Sequence, residues 1–350
     1  MRTLGPAEQR LLNRIAIDPH MRQAAIASDL NVTRSAVNQV WQRLEEEFGL
    51  QIRGNIDYGQ LGLHYVFGWA RANQGNPNLD RFWAWLDTYP YSTLATESAM
   101  TSAMDVRVYF EALLPAGRRY NWFKNQIRRF QKKPYNLEVI TGFVRRVSNH
   151  LNVGLFDGKN WEFDYSFRME ASMDAAKEYA DVLPVSAHTQ QSNVGEIDWK
   201  HMAAASVVET DYYASSTDLA ETLRRIGLEV PTKRTLRRRL SQVRDDMALP
   251  YVALSNLGLD QQIVVCVREL SEEQTFSRLL HAQGRSFPKT KVISGDSFAV
   301  MRIQVPTGFD WISFSKSLAA LGHHTAEICT FLTEREKRKN GLEAILSKKP

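Results

Sequence analysis

The feature that most constrains the fold of this 350-residue chain is an internal repeat. Thr33 to Leu50 aligns without gaps with Thr232 to Leu249. Each segment has a threonine followed by apolar residues at i, i+4, i+7 and i+11. These are Val37, Trp41, Leu44 and Phe48 in the first copy, and Leu236, Leu240, Val243 and Met247 in the second. That spacing predicts a helix with one apolar stripe, capped by the threonine. The acidic pairs Glu46-Glu47 and Asp245-Asp246 also coincide.

The match continues downstream, where two chance amphipathic helices would diverge. A Leu-Gly-Leu at Leu61 to Leu63, and again at Leu257 to Leu259, precedes the strand candidates "HYVFGWARA" and "QQIVVCVRE". Helix candidates "LDRFWAWLDTY" and "EEQTFSRLLHAQ" follow, then short extended segments and a pair of strands aligned at Pro115 and Pro306. In that pair Val108, Phe110, Ala112 and Leu114 match Ala299, Met301, Ile303 and Val305 on one face. Helices near "RRYNWFKNQIRRFQ" and "FDWISFSKSLAALG" and strands "NLEVITGF" and "TAEICTFL" close the units. Each unit reads β-α-β-β-α-β, in which two helices cover one face of a four-stranded antiparallel sheet. The other face needs a partner.

Composition is that of a globular chain, 43% hydrophobic and 24% charged, enough for two or three domains. The formal net charge is only +5, so polyanion binding has to be read from charge clusters and not from the sum. Cys266 and Cys329 are far apart in sequence and lack a CxxC partner, which argues against a zinc site or a secreted disulfide framework. They are expected to be buried thiols on adjacent strands of the second unit. The first residues carry no basic-then-apolar leader, and no apolar run approaches the roughly 18 residues that span a bilayer. A soluble, cytoplasmic protein without a membrane partner is expected.

Upstream of Val37 the pattern predicts three short helices, at Pro6 to Ile17, Arg22 to Leu30 and Arg34 to Glu47. Asn31 occupies the turn before the third, a position where asparagine tolerates the left-handed conformation. In a helix-turn-helix the third helix enters the major groove. Arg34, Ser35, Asn38, Gln39, Gln42 and Arg43 lie on its polar side and are the candidate DNA contacts. Asn and Gln suit adenine edges, and Arg34 and Arg43 suit phosphate or guanine. In the second copy the interval to the helix is six residues longer, between Ala220 and Thr232. Its candidates Lys233, Arg234, Arg237, Arg238, Ser241 and Arg244 suit phosphate neutralisation more than base reading.

Between the copies, Asp157-Gly158 is a hairpin-turn signal, "FRMEASMDAAKEYADVL" a helix candidate and "SAHTQQSNVGE" a linker. Another basic cluster runs from Arg118 to Lys133, and its aromatics Tyr120, Trp122 and Phe123 are expected in the core. The tail "TEREKRKNGLEAILSKKP" is expected to form a solvated helix with a frayed end.

A helix-turn-helix followed by a βαββαβ unit resembles the leucine-responsive regulators (Lrp/AsnC, or feast/famine, family). Here the resemblance covers roughly residues 6–144 and again 198–332. It rests on the element order, on "DLNVTRSAVNQVWQRLEEE" and on the hinge-like "IDYGQLGL". It implies an α+β fold of two winged-helix (helix-turn-helix) domains, each followed by a ferredoxin-like domain. The divisions are 1–58 and 59–145 for the first copy, 146–196 for a hairpin, helix and linker, 197–256 and 257–333 for the second copy, and 334–350 for a charged tail. The implied function is a sequence-specific transcription regulator that binds double-stranded DNA, as a homo-oligomer or with its own sheets paired as a pseudo-dimer. The family's small effectors, often amino acids, point to Asp105, Gly295 and Asp296 at the turns between second and third strands.

Two other classes remain open. One is an architectural protein that coats nucleic acid without reading it. The other is an enzyme like the siroheme decarboxylases, related proteins with the same two-domain plan that occur as fused pairs and use histidine and arginine near their tetrapyrrole. The eight histidines here are scattered, and none falls in the second or third strand of either unit. No Ser-His-Asp set, phosphate loop or carboxylate pair stands out. The sequence reading is therefore a non-enzyme without cofactor or metal.

Overall fold

A computed structural model describes residues 3–72, 78–101, 106–161, 188–190, 197–270, 275–321, 326–338 and 341–347. The fold is α+β, and its sheets are antiparallel throughout.

The chain opens with α1 (Pro6–Ile17), α2 (Gln23–Asp29) and α3 (Arg34–Phe48). Asn31 adopts a φ of 53° in the turn, as the sequence led us to expect. Thr33 caps α3 by accepting the Ala36 amide at 3.1 Å. The stripe Val37, Leu44 and Phe48 is buried, with Trp41 half-buried beside it. The second copy repeats this with α6 (Trp199–Thr210), α7 (Ser216–Arg225) and α8 (Lys233–Asp246). The six extra residues lengthen the turn before α8, which Gly227 helps to form at φ +68°. The two first helices differ most. α1 keeps a polar face, whereas Met202 to Val208 of α6 are buried without interruption, as in a helix enclosed on all sides.

Strands β1 (Gln51–Ile56) and β8 (Ala248–Ala253) follow α3 and α8 and pair with each other as a ribbon, Gln51 opposite Ala253 and Ile56 opposite Ala248. α6 packs under it. A Cβ at Gly54 would meet the Val208 carbonyl at 2.8 Å, so only glycine allows this approach.

The first unit is β2 (Leu63–Ala72), α4 (Asn78–Thr88), β3 (Ser92–Thr101), β4 (Val106–Pro115), α5 (Arg118–Gln131) and β5 (Glu138–Phe143). The second, after β6 (Arg146–Leu151) and β7 (His188–Thr189), is β9 (Gln261–Glu269), α9 (Thr275–Gln283), β10 (Lys289–Ser294), β11 (Phe298–Val305), α10 (Trp311–Leu321) and β12 (Ala326–Arg338). The short helix α11 (Gly341–Leu346) follows. Strand order is β5-β2-β4-β3 in one unit and β12-β9-β11-β10 in the other, so in each the third strand separates the first two and the last lies beside the first.

The units join in two ways. Edge strands β3 and β12 pair, and β6 and β7 extend the far edge at β10, giving one ten-stranded sheet. β5 and β6 are separated only by Val144 and Arg145, whose amides bond the Tyr65 carbonyl at 2.9 Å and the Ser294 carbonyl at 2.7 Å. The chain thus steps directly from one half to the other. Between the halves Phe298 packs on Phe67 and Trp69, with ring centroids 4.5 and 5.3 Å apart. The outer faces carry helices, α4 and α5 on one half and α9 and α10 on the other.

Several expectations change. The tail is not solvated, because β12 continues to Arg338 and Leu342, Ile345 and Leu346 of α11 are buried. The linker contributes β7 and the buried Gln190, which donates to the Ile56 carbonyl at 2.7 Å and accepts the Tyr58 amide at 3.0 Å. Trp122, expected in the core, is exposed. The Asp157-Gly158 turn forms, with Asp157 Oδ1 accepting the amides of Lys159 and Asn160. The helix candidate after it lies outside the described residues. Cys266 and Cys329 are buried and directly opposite each other on β9 and β12. The described residues include no helix long and apolar enough to cross a membrane.

Because Phe298 fills the contact between halves, Phe298→Ala should cost about 3–5 kcal/mol of unfolding free energy in urea titrations. A loss under 1 kcal/mol would mean that the halves do not depend on this contact.

Candidate active site

The inward faces of the two halves differ along their length. One end is apolar, around Phe67, Phe298, Val300 and Phe331, and the other is polar. The polar end centres on Glu111 of β4, which is 3% exposed. Its carboxylate accepts from Tyr65 Oη, from Tyr109 Oη at 2.9 Å, from Lys291 Nζ at 2.8 Å and from Arg302 Nη1 at 3.2 Å. Lys291 Nζ also bonds Tyr65 Oη at 2.9 Å. The carboxylate and both tyrosines come from the first half, and both cations from the second. Burial alone would push the Glu111 carboxyl up, but the Lys291 and Arg302 charges prevail and hold it down to about 2. Burial, reinforced by Glu111, raises the Tyr65 and Tyr109 phenols well above 10, so both are proton donors at neutral pH.

With the copies aligned at Pro115 and Pro306, Glu111 and Arg302 are equivalent positions. The ion pair therefore joins one residue to its own counterpart across the pseudo-twofold relation of the halves.

This cluster forms the floor of a cavity of about 410 Å³. Its walls include Arg53 and Tyr251 of the β1–β8 ribbon, Lys289, Gln262 and Gln304 of the second unit, and Glu209 at the end of α6. Glu209 accepts from Tyr58 Oη at 2.5 Å and from the Leu342 amide at 2.9 Å, which ties α11 to the cavity wall. Burial raises the Glu209 carboxyl despite these bonds. Arg53 donates to the neutral Gln51 amide oxygen at 2.9 and 2.7 Å. His150 on β6 also reaches the cavity, and burial beside Arg285 lowers its imidazole to about 4. Nearby, His281 bonds Ser148 Oγ at 2.8 Å and Ser294 Oγ at 2.9 Å, and burial lowers it to about 3. Both rings are neutral at pH 7.

The residues singled out from sequence lie elsewhere. Arg34, Ser35, Asn38, Gln39, Gln42 and Arg43 are exposed on α3, and Arg43 lies 3.7 Å from Glu8. Lys233, Arg234, Arg237, Arg238 and Ser241 are exposed on α8. Arg244 is committed to the protein, since its guanidinium donates to the Tyr212 carbonyl at 2.6 Å and to the Ala214 carbonyl. Gly295 and Asp296 turn at the end of β10 remote from the cavity, where Asp296 pairs with Arg145 at 2.8 Å. Asp105 lies outside the described residues. The cavity cluster was missed because Glu111 and Arg302 sit at inward phases of strands that were read for their apolar face. A charge at an inward phase of a buried strand was the available signal. Among the described residues no group of histidine, cysteine and carboxylate side chains is placed to hold a metal ion.

The geometry defines a class: a duplicated α+β chain with a polar cavity where its two halves meet. Two solved structures are similar in fold across almost the whole chain. One is the siroheme decarboxylase NirDL, with a TM-score of 0.51 and 10% identity over 98% of this chain and 97% of that one. The other is the same decarboxylase in complex with an iron-uroporphyrin III analogue, with a TM-score of 0.53 and 11% identity over 98% and 100%. At such identity the likeness is one of fold. Both are nevertheless structures of an enzyme, which overturns the sequence-based expectation of a non-enzyme. No family model and no curated protein matches the chain in sequence.

The buried groups set an acid-stability profile. His150 and His281 have folded values below the usual 6.5, so the unfolded chain takes up their protons first. Stability is therefore lost as pH falls from about 6.5 towards 3. Glu111 adds a second loss between its unfolded value of 4.5 and about 2. Urea titrations should show both limbs, and His281→Asn should flatten the upper one. A stability constant from pH 7 to pH 4 would contradict the buried neutral histidines.

Proposed function

We propose that the chain is an enzyme that removes carboxyl groups from a polycarboxylate tetrapyrrole bound in the cavity between its halves. The observation that carries this reading is the Lys291–Tyr65–Glu111–Arg302 cluster at the cavity floor. The shared architecture with a siroheme decarboxylase supports it. On this reading each half is a winged-helix domain followed by a ferredoxin-like domain, and the pseudo-dimer is contained in one chain.

The lining suits an anionic ligand. Arg53 and Lys289 stand at the wall as cations, donating to the neutral Gln51 amide oxygen and to the Leu254 carbonyl, and burial raises the Glu209 carboxyl beside them. A volume of about 410 Å³ falls in the usual range of ligand sites, roughly 300–1,000 Å³. It admits one carboxylate-bearing edge of a macrocycle. In the reaction the bond between the side-chain carbon and its carboxylate breaks, carbon dioxide leaves, and the electron pair stays with the substrate. A proton must then reach that carbon. Lys291 supplies it, and Tyr65 and Glu111 hold the ammonium in place. Arg302, 7% exposed, bonds the other oxygen of the Glu111 carboxylate and, with Lys291, holds that carboxyl low.

The test is anaerobic incubation of the whole chain with siroheme, followed by mass spectrometry. Successive losses of carbon dioxide are expected. Lys291→Gln should reduce turnover about a hundredfold or more, the usual contribution of a general acid, while binding, followed by the absorbance of the macrocycle, weakens far less. Binding without decarboxylation by the unaltered chain would refute the catalytic assignment.

A further inference from the structure

The surface of α5 carries a concentration of charge that the cavity does not explain. Residues 118–137 contain seven cations, Arg118, Arg119, Lys124, Arg128, Arg129, Lys132 and Lys133, and no acid. Since the chain as a whole carries +5, everything outside this stretch is two charges negative. All seven cations are exposed, and among the described residues no ion pair engages any of them.

The fold does not require this concentration. α10, the equivalent helix of the other half, carries only Lys316. α5 is anchored by Phe123, Ile127 and Phe130, leaving its outer face along about 21 Å to the cations. It lies on the helix-covered face of the first half, with the cavity on the other face of the same sheet.

Aromatic rings are interleaved with the charges. Trp122 is 45% exposed and stacks on Tyr89, with centroids 5.2 Å apart and planes 21° apart. Tyr89 in turn stacks on Trp85 at 5.4 Å. This three-ring stack ends at the surface in an indole. Arg119 and Arg129 lie over the rings of Tyr91 and Tyr135, at 5.9 and 5.7 Å. Cations that follow a phosphate backbone beside an open aromatic face are the elements by which single strands are held irrespective of sequence. A lipid surface would call for more exposed apolar residues than the single Trp122 on this face.

We infer that the α5 face binds single-stranded nucleic acid, with phosphates on the row from Arg118 to Lys133 and a base on Trp122. The inference goes beyond the decarboxylase reading and does not depend on it.

The test is fluorescence anisotropy of labelled oligo(dT) with the full chain. Competitors are a duplex of equal length, phosphatidylserine vesicles and polyglutamate. Oligo(dT) should bind most tightly, and log affinity should fall with log salt at about −0.7 per phosphate engaged. Arg128→Gln combined with Arg129→Gln and Lys132→Gln should weaken binding at least about tenfold and make that slope shallower. Trp122→Ala should weaken oligo(dT) about tenfold and leave the duplex unchanged. Arg237→Gln with Arg238→Gln, on α8, should change nothing. Failure to bind oligo(dT), tighter binding of vesicles or polyglutamate, or a loss from the α8 pair in place of the α5 triple would each overturn the proposal.

Discussion

One buried carboxylate organises the contact between the halves. Glu111 could not remain ionised at 3% exposure without compensation, because moving an unpaired carboxylate out of water costs several kcal/mol. It is compensated by two cations from the other half and two phenols from its own. Such a cluster is a weak source of net stability, since desolvation consumes much of the Coulomb gain. It does penalise alternatives. Any shift of one half against the other that separated these groups would leave buried charges unpaired. The apolar end at Phe67, Trp69 and Phe298 contributes area but tolerates sliding, whereas the polar end sets the register.

That register also builds the cavity. Two inward faces lined only with Phe and Val would close on each other as an ordinary core. Long polar side chains at Lys289, Lys291, Arg302 and Gln304 keep the halves apart at one end, and the β1–β8 ribbon with α6 forms a wall beside the gap. Elements from both copies, including the crossing strand β6 and the terminal helix α11, therefore converge on one space. Severing the chain between its copies would interrupt that continuity at β5 and β6.

Much of this plan was legible in the sequence. Period-two and period-3.6 patterns located the strands and helices of both βαββαβ units together with α1, α2, α3 and α8, and the alignment of copies gave their order, whereas β1, β6, β7, β8 and the helices α6 and α7 were not placed. α1 falls on the span read from the pattern, and Asn31 takes the backbone conformation for which it was noticed. Tertiary choices were less legible. Nothing local in "TEREKR" shows that it continues a strand, because it becomes one by pairing with β3 of the other copy. Polar tail residues looked solvated for the same reason. The candidate site was missed more completely. Sequence reasoning followed exposed cations on α3 and α8, where charge is common, and passed over single charged residues inside strands. Lys291 and Glu111 are separated by 180 positions, and only the facing of the two halves brings them together.

The equivalence of Glu111 and Arg302 has a consequence for how such a chain can arise. In a homodimer, a residue on the twofold axis meets its own copy, so a carboxylate faces a carboxylate and a guanidinium faces a guanidinium. An attractive ion pair at that position is forbidden by symmetry. Once the two copies are fused, each inherits its own coding sequence and the axis ceases to bind them to the same residue. Glutamate can then stand opposite arginine at the most central point of the contact. Duplication, on this view, is what makes an oppositely charged centre chemically available to the architecture.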